Sequence, residues 1–305
     1  MPTLITPFPP SSHDGGGWVT RQLIEKHKYE KISYRKNNTI KKIYYAALGC
    51  ITLPFIHPIF TRFLPLWQTR NKITNTHLNF SQTFGMVFFR KNCTLICHDL
   101  QYHRSFMLKC WARWSEKLLL SHAKKILVLS ERDKKIVTRY YKIPIKFIEN
   151  IGPFLTQEIE SFTSVTPPNS KRIVFLGSLS RPENLEGIKW FVKNVLPSCP
   201  DIEVHIIGAL YANHGIAHPQ IKHLGFVDNL EEFLSSTDLM IAPMLSGAGI
   251  KIKVIESLKS KTPVLGTKSA YSGLPKPSAA FISDNNEHWI KTLNDGGIFV
   301  FPHKR

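Results

Sequence analysis

The chain has 305 residues, of which 43% are apolar, enough to bury one large or two medium cores. A wholly disordered protein is therefore excluded. Lysine and arginine number 40 against 22 acidic residues, a formal net charge of +18. This excess favours anionic partners, namely nucleic acid, an anionic membrane face or phosphorylated substrates, and charge alone does not choose among them.

The cysteines and the N-terminus indicate the compartment. The five cysteines follow no zinc or disulfide spacing, which favours reduced core thiols in a cytoplasmic protein. The opening segment, MPTLITPFPP, lacks the basic region and the longer apolar run of a signal peptide.

The N-terminal half alternates short apolar segments with helical patterns. A predicted strand, Thr3–Thr6, precedes PFPPSSHDGGGW, whose Pro, Ser, Asp and three glycines predict a loop, and a helical pattern begins at Val19. The further predicted elements are a strand at Cys93–Asp99, a helix at Ser105–Ala123, a strand at Lys125–Ser130 and a helix at Glu131–Tyr141. This alternation indicates a parallel α/β sheet.

One apolar stretch, Ile43–Phe60, is about long enough to span a bilayer. Pro54, His57 and Pro58 interrupt it, and Arg62 follows. The pattern favours core or groove-lining structure that touches a membrane surface, and a true span is the less favoured alternative.

The second half begins after Ser161–Lys171, a Ser/Thr/Pro-rich stretch without apolar period that predicts a linker. The predicted elements are then a strand at Arg172–Ser178, a helix at Asn184–Pro197, strands at Ile202–Gly208 and Leu239–Met244 with a helix at Leu230–Ser236 between them, a helix at Ile252–Lys261 and a strand at Pro263–Thr267. Nearly continuous apolar strands indicate a sheet covered on both faces. Two such units in tandem predict a cleft lined by carboxyl ends of strands, where ligands bind.

The segment LSGAGIKIKVIES carries the clearest chemical signal. Its glycines, Gly247 and Gly249, allow a ligand to approach the backbone, and the helix predicted to begin near Ile250 offers free N–H groups to an anion. Lys251 and Lys253 place positive charge in the first turn, where the helix dipole disfavours it. A bound phosphate would neutralise both.

Glu256 follows Lys253 by three residues, about one turn along the same helix face. Its carboxylate is suited to accept hydrogen bonds from sugar hydroxyls. A solvated face with a Lys253–Glu256 pair explains the same spacing equally well.

Three longer segments carry a resemblance to a known family. PMLSGAGIKIKVIESLKSKTPVLGTKSAYSGL, FLGSLSRPENLEGIKWFVKNVLP and VHIIG…HLGFVDNLEEFLSSTDLMIAPM resemble, in order and spacing, the nucleotide-sugar motif of retaining group 1 GT-B glycosyltransferases. The resemblance covers Arg172 to about Leu274, and HDLQYHR and HAKKILVLSERDKKIV in the first half agree with it. By pattern, it is closest to sugar transferases of bacterial exopolysaccharide and lipopolysaccharide assembly.

The resemblance implies an α/β chain with two Rossmann-like parallel-sheet domains facing a central cleft. Residues 1–160 would bind the acceptor, 161–171 would link the domains, 172–285 would bind the nucleotide-sugar, and 286–305 would form a tail. It implies a retaining, metal-independent hexosyl transferase without a cofactor. The transferase would move a sugar from a nucleotide-sugar donor to a glycan or lipid-linked acceptor in bacterial surface polysaccharide synthesis. The expected location is cytoplasmic and peripheral, on the anionic inner face of the plasma membrane.

The resemblance also implies roles for individual residues in the second half. Glu256 corresponds to a glutamate that holds the ribose, and Lys251, Lys253 and the amides after Gly249, including Ile250, would face the diphosphate. The other implied donor-binding residues are Gly177, Ser178 and Arg181 in the loop after the first strand, with Gly208 and Val227 flanking the base.

In the first half, Gly15, Gly16 and Gly17 correspond to a glycine loop near phosphate and acceptor. His98 corresponds to a histidine near the transferred sugar, and we expect it to act with Lys253 and Glu256 in catalysis. Asp99 follows His98, and without the resemblance it is better explained as the cap of the next helix.

Departures from the family pattern motivate a second hypothesis. Ala248 and Ser178 replace a glutamate and an arginine found in many relatives, and Asn184 replaces a lysine. The usual long C-terminal helix also looks shortened. A non-catalytic nucleotide-sugar-binding partner of another transferase is therefore the alternative. A nucleic-acid binder is not expected, because it requires basic residues clustered with exposed aromatics, whereas Lys and Arg are spread along the chain.

Overall fold

A computed structural model gives the fold of the protein, and the chain divides into two compact units, Met1–Leu155 and Thr156–Arg305. The structure describes residues 1–12, 15–34, 39–62, 75–89, 92–98, 100–103, 109–156, 172–209, 216–247, 249–274 and 282–294. The linker predicted at 161–171, together with Asp99 and Ala248, lies outside these ranges.

The N-terminal unit is built on a parallel six-stranded sheet of order β2-β1-β3-β4-β5-β6. Its strands are β1 (Thr3–Thr6), β2 (Lys31–Tyr34), β3 (Thr76–Asn79), β4 (Cys93–Cys97), β5 (Lys125–Val128) and β6 (Ile148–Asn150). Its helices are α1 (Gly15–His27), α2 (Thr39–Thr52), α3 (Lys109–Ser121), α4 (Glu131–Arg139) and the short α5 (Gly152–Leu155), with 3-10 helices at Pro58–Phe60, Ser81–Phe89, Gln101–His103 and Ile145–Phe147.

The strand order of this unit reverses between β1 and β3. The chain passes from β1 to β2 on one side and then returns to β3 on the other side of β1. A crevice forms at such a switch point, outside the carboxyl ends of the two strands, and ligands bind there in open α/β sheets. Every residue of β1, β3 and β4 is buried, as expected for parallel strands covered on both faces.

The C-terminal unit has a parallel five-stranded sheet of order β11-β10-β7-β8-β9. Its strands are β7 (Arg172–Leu176), β8 (Glu203–Ile207), β9 (Ile221–Gly225), β10 (Leu239–Ala242) and β11 (Val264–Gly266). Its helices are α6 (Pro182–Asn194), α7 (Leu230–Ser235), α8 (Ile252–Lys259) and α9 (Asn286–Asn294), with a 3-10 helix at Leu196–Ser198. Here the order reverses between β7 and β10, which places the crevice at the ends of these two strands.

The core of the C-terminal unit includes a helix that the sequence pattern assigned to a tail. Trp289 of α9 is fully buried, and its ring packs against Trp190 and Phe191 of α6. The Trp289 indole N–H donates to Ser283 O at 2.8 Å, so its polar edge is satisfied. The predicted tail, 286–305, therefore begins with a helix that completes this core.

The alternation predicted from the sequence is confirmed, with local corrections. Helix α8 begins at Ile252, as the predicted helix Ile252–Lys261 does, so Lys251 is its N-cap residue and not part of its first turn. Gly15, Gly16 and Gly17 form the first turn of α1 and not a loop. The pattern missed the strands β2, β3, β6 and β9.

The apolar stretch Ile43–Phe60 folds as most of α2, a turn and a short 3-10 helix. Its prolines follow α2, because a proline ring cannot continue a helix. None of the helices in the described part of the chain is long and apolar enough to cross a bilayer.

Candidate functional site

The carboxyl end of β7 turns sharply at Gly177, in the crevice of the C-terminal unit. Gly177 has φ +148°, and a Cβ there would lie 2.6 Å from Asn184 Nδ2 and 2.9 Å from Lys253 Nζ. Gly208, after β8, has φ +136°, and its Cβ would meet the backbone of Gly177 and Ser178 at 2.7 to 2.9 Å. Both positions require glycine, which brings two strand ends and a lysine ammonium together.

Lys253 is the centre of this cluster. Its Nζ donates to Asn184 Oδ1 at 2.8 Å, contacts Met244 Sδ at 3.6 Å and lies 4.5 Å from the centroid of the Phe175 ring. These partners come from α6, from the end of β10 and from β7, so the ammonium sits where the strand order reverses. The phenyl ring attracts the cation through its negative face.

The electrostatics of the cluster favour an anion. Burial is the main cause that lowers the pKa of Lys253 to about 7; the nearby charges of Lys251 and Arg181 contribute to the same shift, and Glu183 opposes it. Three cationic side chains therefore converge on one part of the crevice. A bound phosphate would stabilise the charged form of Lys253, which the free site disfavours.

Asn184 is a functional candidate that the sequence pattern treated only as a departure from the family. Its side chain is 4% exposed, and its Nδ2 donates to Ser178 O at 2.8 Å while its Oδ1 accepts from Lys253. The amide thereby ties α8 to the loop between β7 and α6. The signal that could have identified Asn184 was an amide side chain in the first turn of α6, because an amide that is buried there needs hydrogen-bond partners.

The loop between β7 and α6 carries Ser178 and Arg181. The hydroxyls of Ser178 and Ser180 lie 2.7 Å apart, and Ser178 Oγ also donates to Ala209 O at 3.4 Å. Arg181 is the exposed N-cap residue of α6, and its carbonyl accepts from Asn184 N. The loop therefore borders the Lys253 cluster, as the resemblance implied.

The turn before α8 depends on two further glycines. Gly247 has φ +118° and Gly249 has φ +69°, conformations that L side chains adopt only with strain. Lys251 folds back over this turn, where its Nζ donates to Gly249 O at 3.2 Å, and the residue is 8% exposed. Ile250 is also buried, 9% exposed.

The remaining predicted donor residues lie at element ends. Glu256 is partly buried on α8, three residues beyond Lys253. Val227 follows β9 by two residues, and the ends of β8 and β9 are held together because Gly208 N donates to Gly225 O at 2.8 Å. The structure thus brings Lys253, Gly177, Gly208, Arg181 and Lys251 into one region.

The N-terminal unit has its own polar cluster at the switch point between β1 and β3. His98 follows β4 and is 8% exposed; its ring stacks on Phe80 with centroids 3.6 Å apart and an interplanar angle of 12°. Its Nε2 lies 2.6 Å from Asn79 Oδ1. Burial lowers the pKa of His98 to about 3, so the imidazole is neutral near pH 7.

Asn79 fixes the tautomer of His98. Asn79 Nδ2 donates to Thr6 Oγ1 at 3.2 Å and to Thr20 Oγ1 at 3.4 Å, which leaves Oδ1 as the acceptor facing the ring. His98 Nε2–H is then the donor, and Nδ1 is the unprotonated ring nitrogen. A neutral ring of this kind makes a polar contact and does not carry a charge.

The predicted glycine loop is linked to the same cluster through Thr20. Thr20 Oγ1 donates to Gly16 O at 3.0 Å within α1. A Cβ at Gly16 would lie 2.5 Å from Cγ of Phe8, and one at Gly17 would lie 2.2 Å from Ser12 O. These glycines, after the partly exposed Gly15, allow the segment after β1 to pack against the first turn of α1. Thr6, Thr20, Asn79 and Phe80 were missed, because only the fold brings them to His98.

Comparison with known proteins finds a family match in part of the chain. Residues 170–293 match the family model described as "Glycosyl transferases group 1". The protein has the GT-B fold, and the resemblance to group 1 glycosyltransferases is confirmed over this part of the chain.

The similar proteins include three from bacteria. A 44.6 kDa protein of the cps region of Klebsiella pneumoniae is 28% identical over 118 residues, which cover 33% of this chain and only 30% of that protein. A crystal structure of Anabaena HepE in complex with UDP and glucose aligns with a TM-score of 0.66 at 12% identity, covering 97% of this chain and 89% of that one. A structure from E. coli bound with UDP-2-fluoro glucose aligns with a TM-score of 0.59 at 8% identity, covering 97% and 91%.

Proposed function

We propose that the protein is a retaining glycosyltransferase that moves a hexosyl group from a nucleotide-sugar to a glycan or lipid-linked acceptor. The observation that carries the proposal is the Lys253 ammonium, held between Gly177 and Asn184 where the strand order reverses. The group 1 family match over 170–293 and the UDP-containing complexes of HepE support the same assignment.

In the proposed reaction, the C-terminal unit binds the donor. Lys253, Lys251 and Arg181 face the diphosphate, and Glu256 holds the ribose. Negative charge grows on the diphosphate as the glycosidic bond breaks, and fixed cations stabilise that charge without reorganisation. These cations supply the electrostatic stabilisation that a metal provides elsewhere, so we expect no metal or other cofactor to be needed.

His98 supplies a polar contact near the transferred sugar in this proposal. Burial lowers the pKa of His98 to about 3, which argues against a role as general base and agrees with a contact and positioning role in catalysis. We propose that the leaving phosphate accepts the proton of the acceptor hydroxyl.

A place in bacterial surface polysaccharide synthesis, of the exopolysaccharide or lipopolysaccharide type, is the proposed context. It is supported by the cps-region relative, which matches this chain over only part of its length. We propose that the protein works in the cytoplasm, peripherally on the inner face of the plasma membrane, where lipid-linked acceptors are carried.

The test is a thermal-shift screen of the full chain against UDP-, GDP-, ADP- and CMP-sugars. A ligand at about 100 times its Kd stabilises the folded state by about 2.7 kcal/mol. Lys253→Ala and Glu256→Ala should abolish the shift, whereas Lys189→Ala, an exposed lysine of α6, should retain it. No shift with any sugar nucleotide would refute donor binding.

Transfer is tested separately, by release of nucleoside diphosphate from the sugar nucleotide that gives the shift. Release that survives a chelator, and is lost in Lys253→Ala, supports metal-independent transfer. Binding without release, by contrast, would support the alternative of a non-catalytic nucleotide-sugar-binding partner. The replacements at Ala248, Ser178 and Asn184 motivate that alternative.

A further inference from the structure

Helix α2 turns its apolar side chains away from the core of the N-terminal unit. Ile40 is 76% exposed, Tyr44 61% and Ile51 78%, and their spacing places them on one helix face together with Ile43. The opposite face packs against the protein at Gly49, where a Cβ would lie 2.1 Å from Thr61 Oγ1. An amphipathic helix normally buries its apolar stripe, so this reversed orientation indicates a surface for an apolar partner.

The exposed apolar surface continues from α2 onto α3. Phe55, just after α2, is 72% exposed, and its carbonyl accepts a hydrogen bond from the Trp111 indole at 2.9 Å. Trp114, one turn further along α3, is 51% exposed. Together with Ile40, Ile43, Tyr44 and Ile51, these residues form what we call the α2 surface.

The positive charge of the protein lies in the same unit. Residues 1–155 contain 25 Lys and Arg against 8 Asp and Glu, a net charge of +17, whereas residues 156–305 contain 15 against 14, a net charge of +1. Lys and Arg are therefore not evenly spread between the two units, so the argument against a nucleic-acid partner has to rest on the chemistry of the exposed side chains.

Helix α2 lies in a part of this unit that contains no acidic residues. Between Glu30 and Asp99 the chain has no Asp or Glu but ten Lys and Arg. Five of these ten lie between Glu30 and Ile43 in sequence: Lys31, Arg35, Lys36, Lys41 and Lys42. An apolar helix face within a strongly basic region matches the two components of an anionic bilayer, its acyl chains and its headgroups.

We propose that the α2 surface docks the protein on an anionic phospholipid bilayer, with α2 lying in the plane of the interface. Isoleucines insert among acyl chains, and Trp114 and Tyr44 are suited to the headgroup boundary. A surface that binds nucleic acid presents aromatic side chains for base stacking together with polar groups, and the isoleucines of the α2 surface do not suit that role. A second copy would bring two units of charge +17 together.

The experiment is co-sedimentation of the full chain with vesicles of phosphatidylcholine, with and without about a third of phosphatidylglycerol. We expect binding to the anionic vesicles that weakens steeply with added salt, and little binding to phosphatidylcholine alone. Equal binding to both vesicle types, or no binding to anionic vesicles at low salt, would overturn the proposal.

Two sets of variants test the residues. Ile43→Glu with Ile51→Glu should weaken binding to anionic vesicles ~10-fold or more, since two inserted side chains become charged. Phe55→Glu should also weaken binding, whereas the matched control Phe226→Glu, 71% exposed in the other unit, should leave vesicle binding unchanged. Equal effects of Phe55→Glu and Phe226→Glu would contradict the assignment.

Further measurements distinguish a bilayer from two other partners of the α2 surface, a second copy of the chain and a nucleic acid. If the wild type sediments as a dimer that Ile43→Glu with Ile51→Glu dissociates, the α2 surface binds a second copy and the proposal fails. If an RNA or DNA oligonucleotide binds the wild type and displaces it from vesicles, a nucleic-acid surface is indicated instead. Docking stands apart from the proposed transfer reaction, so the nucleotide-sugar thermal shift of the variants of the α2 surface should remain that of the wild type.

Discussion

The ammonium of Lys253 lies 2.8 Å from Asn184 Oδ1, although 69 positions separate the two residues in the chain. The other end of the same amide donates to Ser178 O. One buried amide thus fixes the distance between α8 and the loop after β7. The proposed diphosphate site therefore depends on an asparagine that makes no charge contribution of its own.

The pKa of Lys253, about 7, predicts a pH-dependent affinity for the nucleotide-sugar. An anion favours the protonated lysine, so binding above pH 7 requires proton uptake, and the affinity should fall by up to ~10-fold per pH unit above that value. Without ligand the sign is opposite: the unfolded lysine keeps its proton up to its ordinary pKa of 10.5, so this group's contribution to stability rises with pH from about 7. Calorimetric titration with the sugar nucleotide found in the thermal screen measures both affinity and proton uptake. Lys253→Arg, which stays charged, should give a flat profile, and a flat wild-type profile would contradict the prediction.

Gly177→Ala should disrupt the crevice of the C-terminal unit. The new Cβ would crowd Asn184 Nδ2 and Lys253 Nζ, and the backbone would have to keep a φ of +148° that strains an alanine. We therefore expect the free energy of unfolding to fall by ~1–3 kcal/mol and the nucleotide-induced thermal shift to be lost. Gly225→Ala is the matched control, because Gly225 has φ +73° but no atom of the described residues lies within 4 Å of its Cβ position. Chemical denaturation compares the two. Equal loss of ligand binding in both variants would mean that backbone strain, not crowding of Lys253, is the cause.

Asn79→Ala should destabilise the N-terminal unit through His98. The substitution removes the acceptor of the His98 N–H and the donor to two buried threonines, which should cost ~1–3 kcal/mol. Asn194→Ala, which removes one hydrogen bond to the backbone of α6, should cost less. Urea denaturation measures both, and equal costs would argue against a coupled network around His98.

Glu116 predicts a pH-dependent stability of the N-terminal unit. It is fully buried, and burial raises its pKa to about 7 despite hydrogen bonds from Tyr141 and from the backbone of Gln101. The folded state then binds the extra proton between about pH 4.5 and 7, so stability should fall as pH rises through this window.

Glu116→Gln tests this window, because it removes the charge and keeps a hydrogen-bonding side chain. Its stability relative to the wild type should increase by up to ~3 kcal/mol between about pH 5 and 8, measured by urea denaturation. The exposed Glu131→Gln should show no such change. If the difference in the free energy of unfolding between Glu116→Gln and the wild type does not change with pH, the prediction is wrong.

A strand or helix could be predicted from the sequence when the residues that cause it are neighbours in the chain. Strands such as Arg172–Leu176 and Cys93–Cys97 were recognisable because an apolar run covered on both faces leaves its mark within a few residues. The strand Ile221–Gly225 was missed, since four of its five residues are not buried and the apolar run is absent. The outward orientation of α2 could not be predicted either, because helical periodicity identifies an apolar face but does not show whether that face points to the core or to solvent.

Local sequence patterns were enough to predict the α/β class, the tandem of two parallel-sheet units, the group 1 resemblance of the second unit and the glycine–lysine segment before α8. Each of these features depends on neighbouring residues or on motifs of constant spacing. Tertiary contacts were needed to show that Asn184 holds Lys253, that Asn79 orients the neutral His98, and that the apolar face of α2 turns outward. Each of these depends on side chains from distant strands and helices meeting at one edge or surface, and residue spacing along the chain does not encode such meetings.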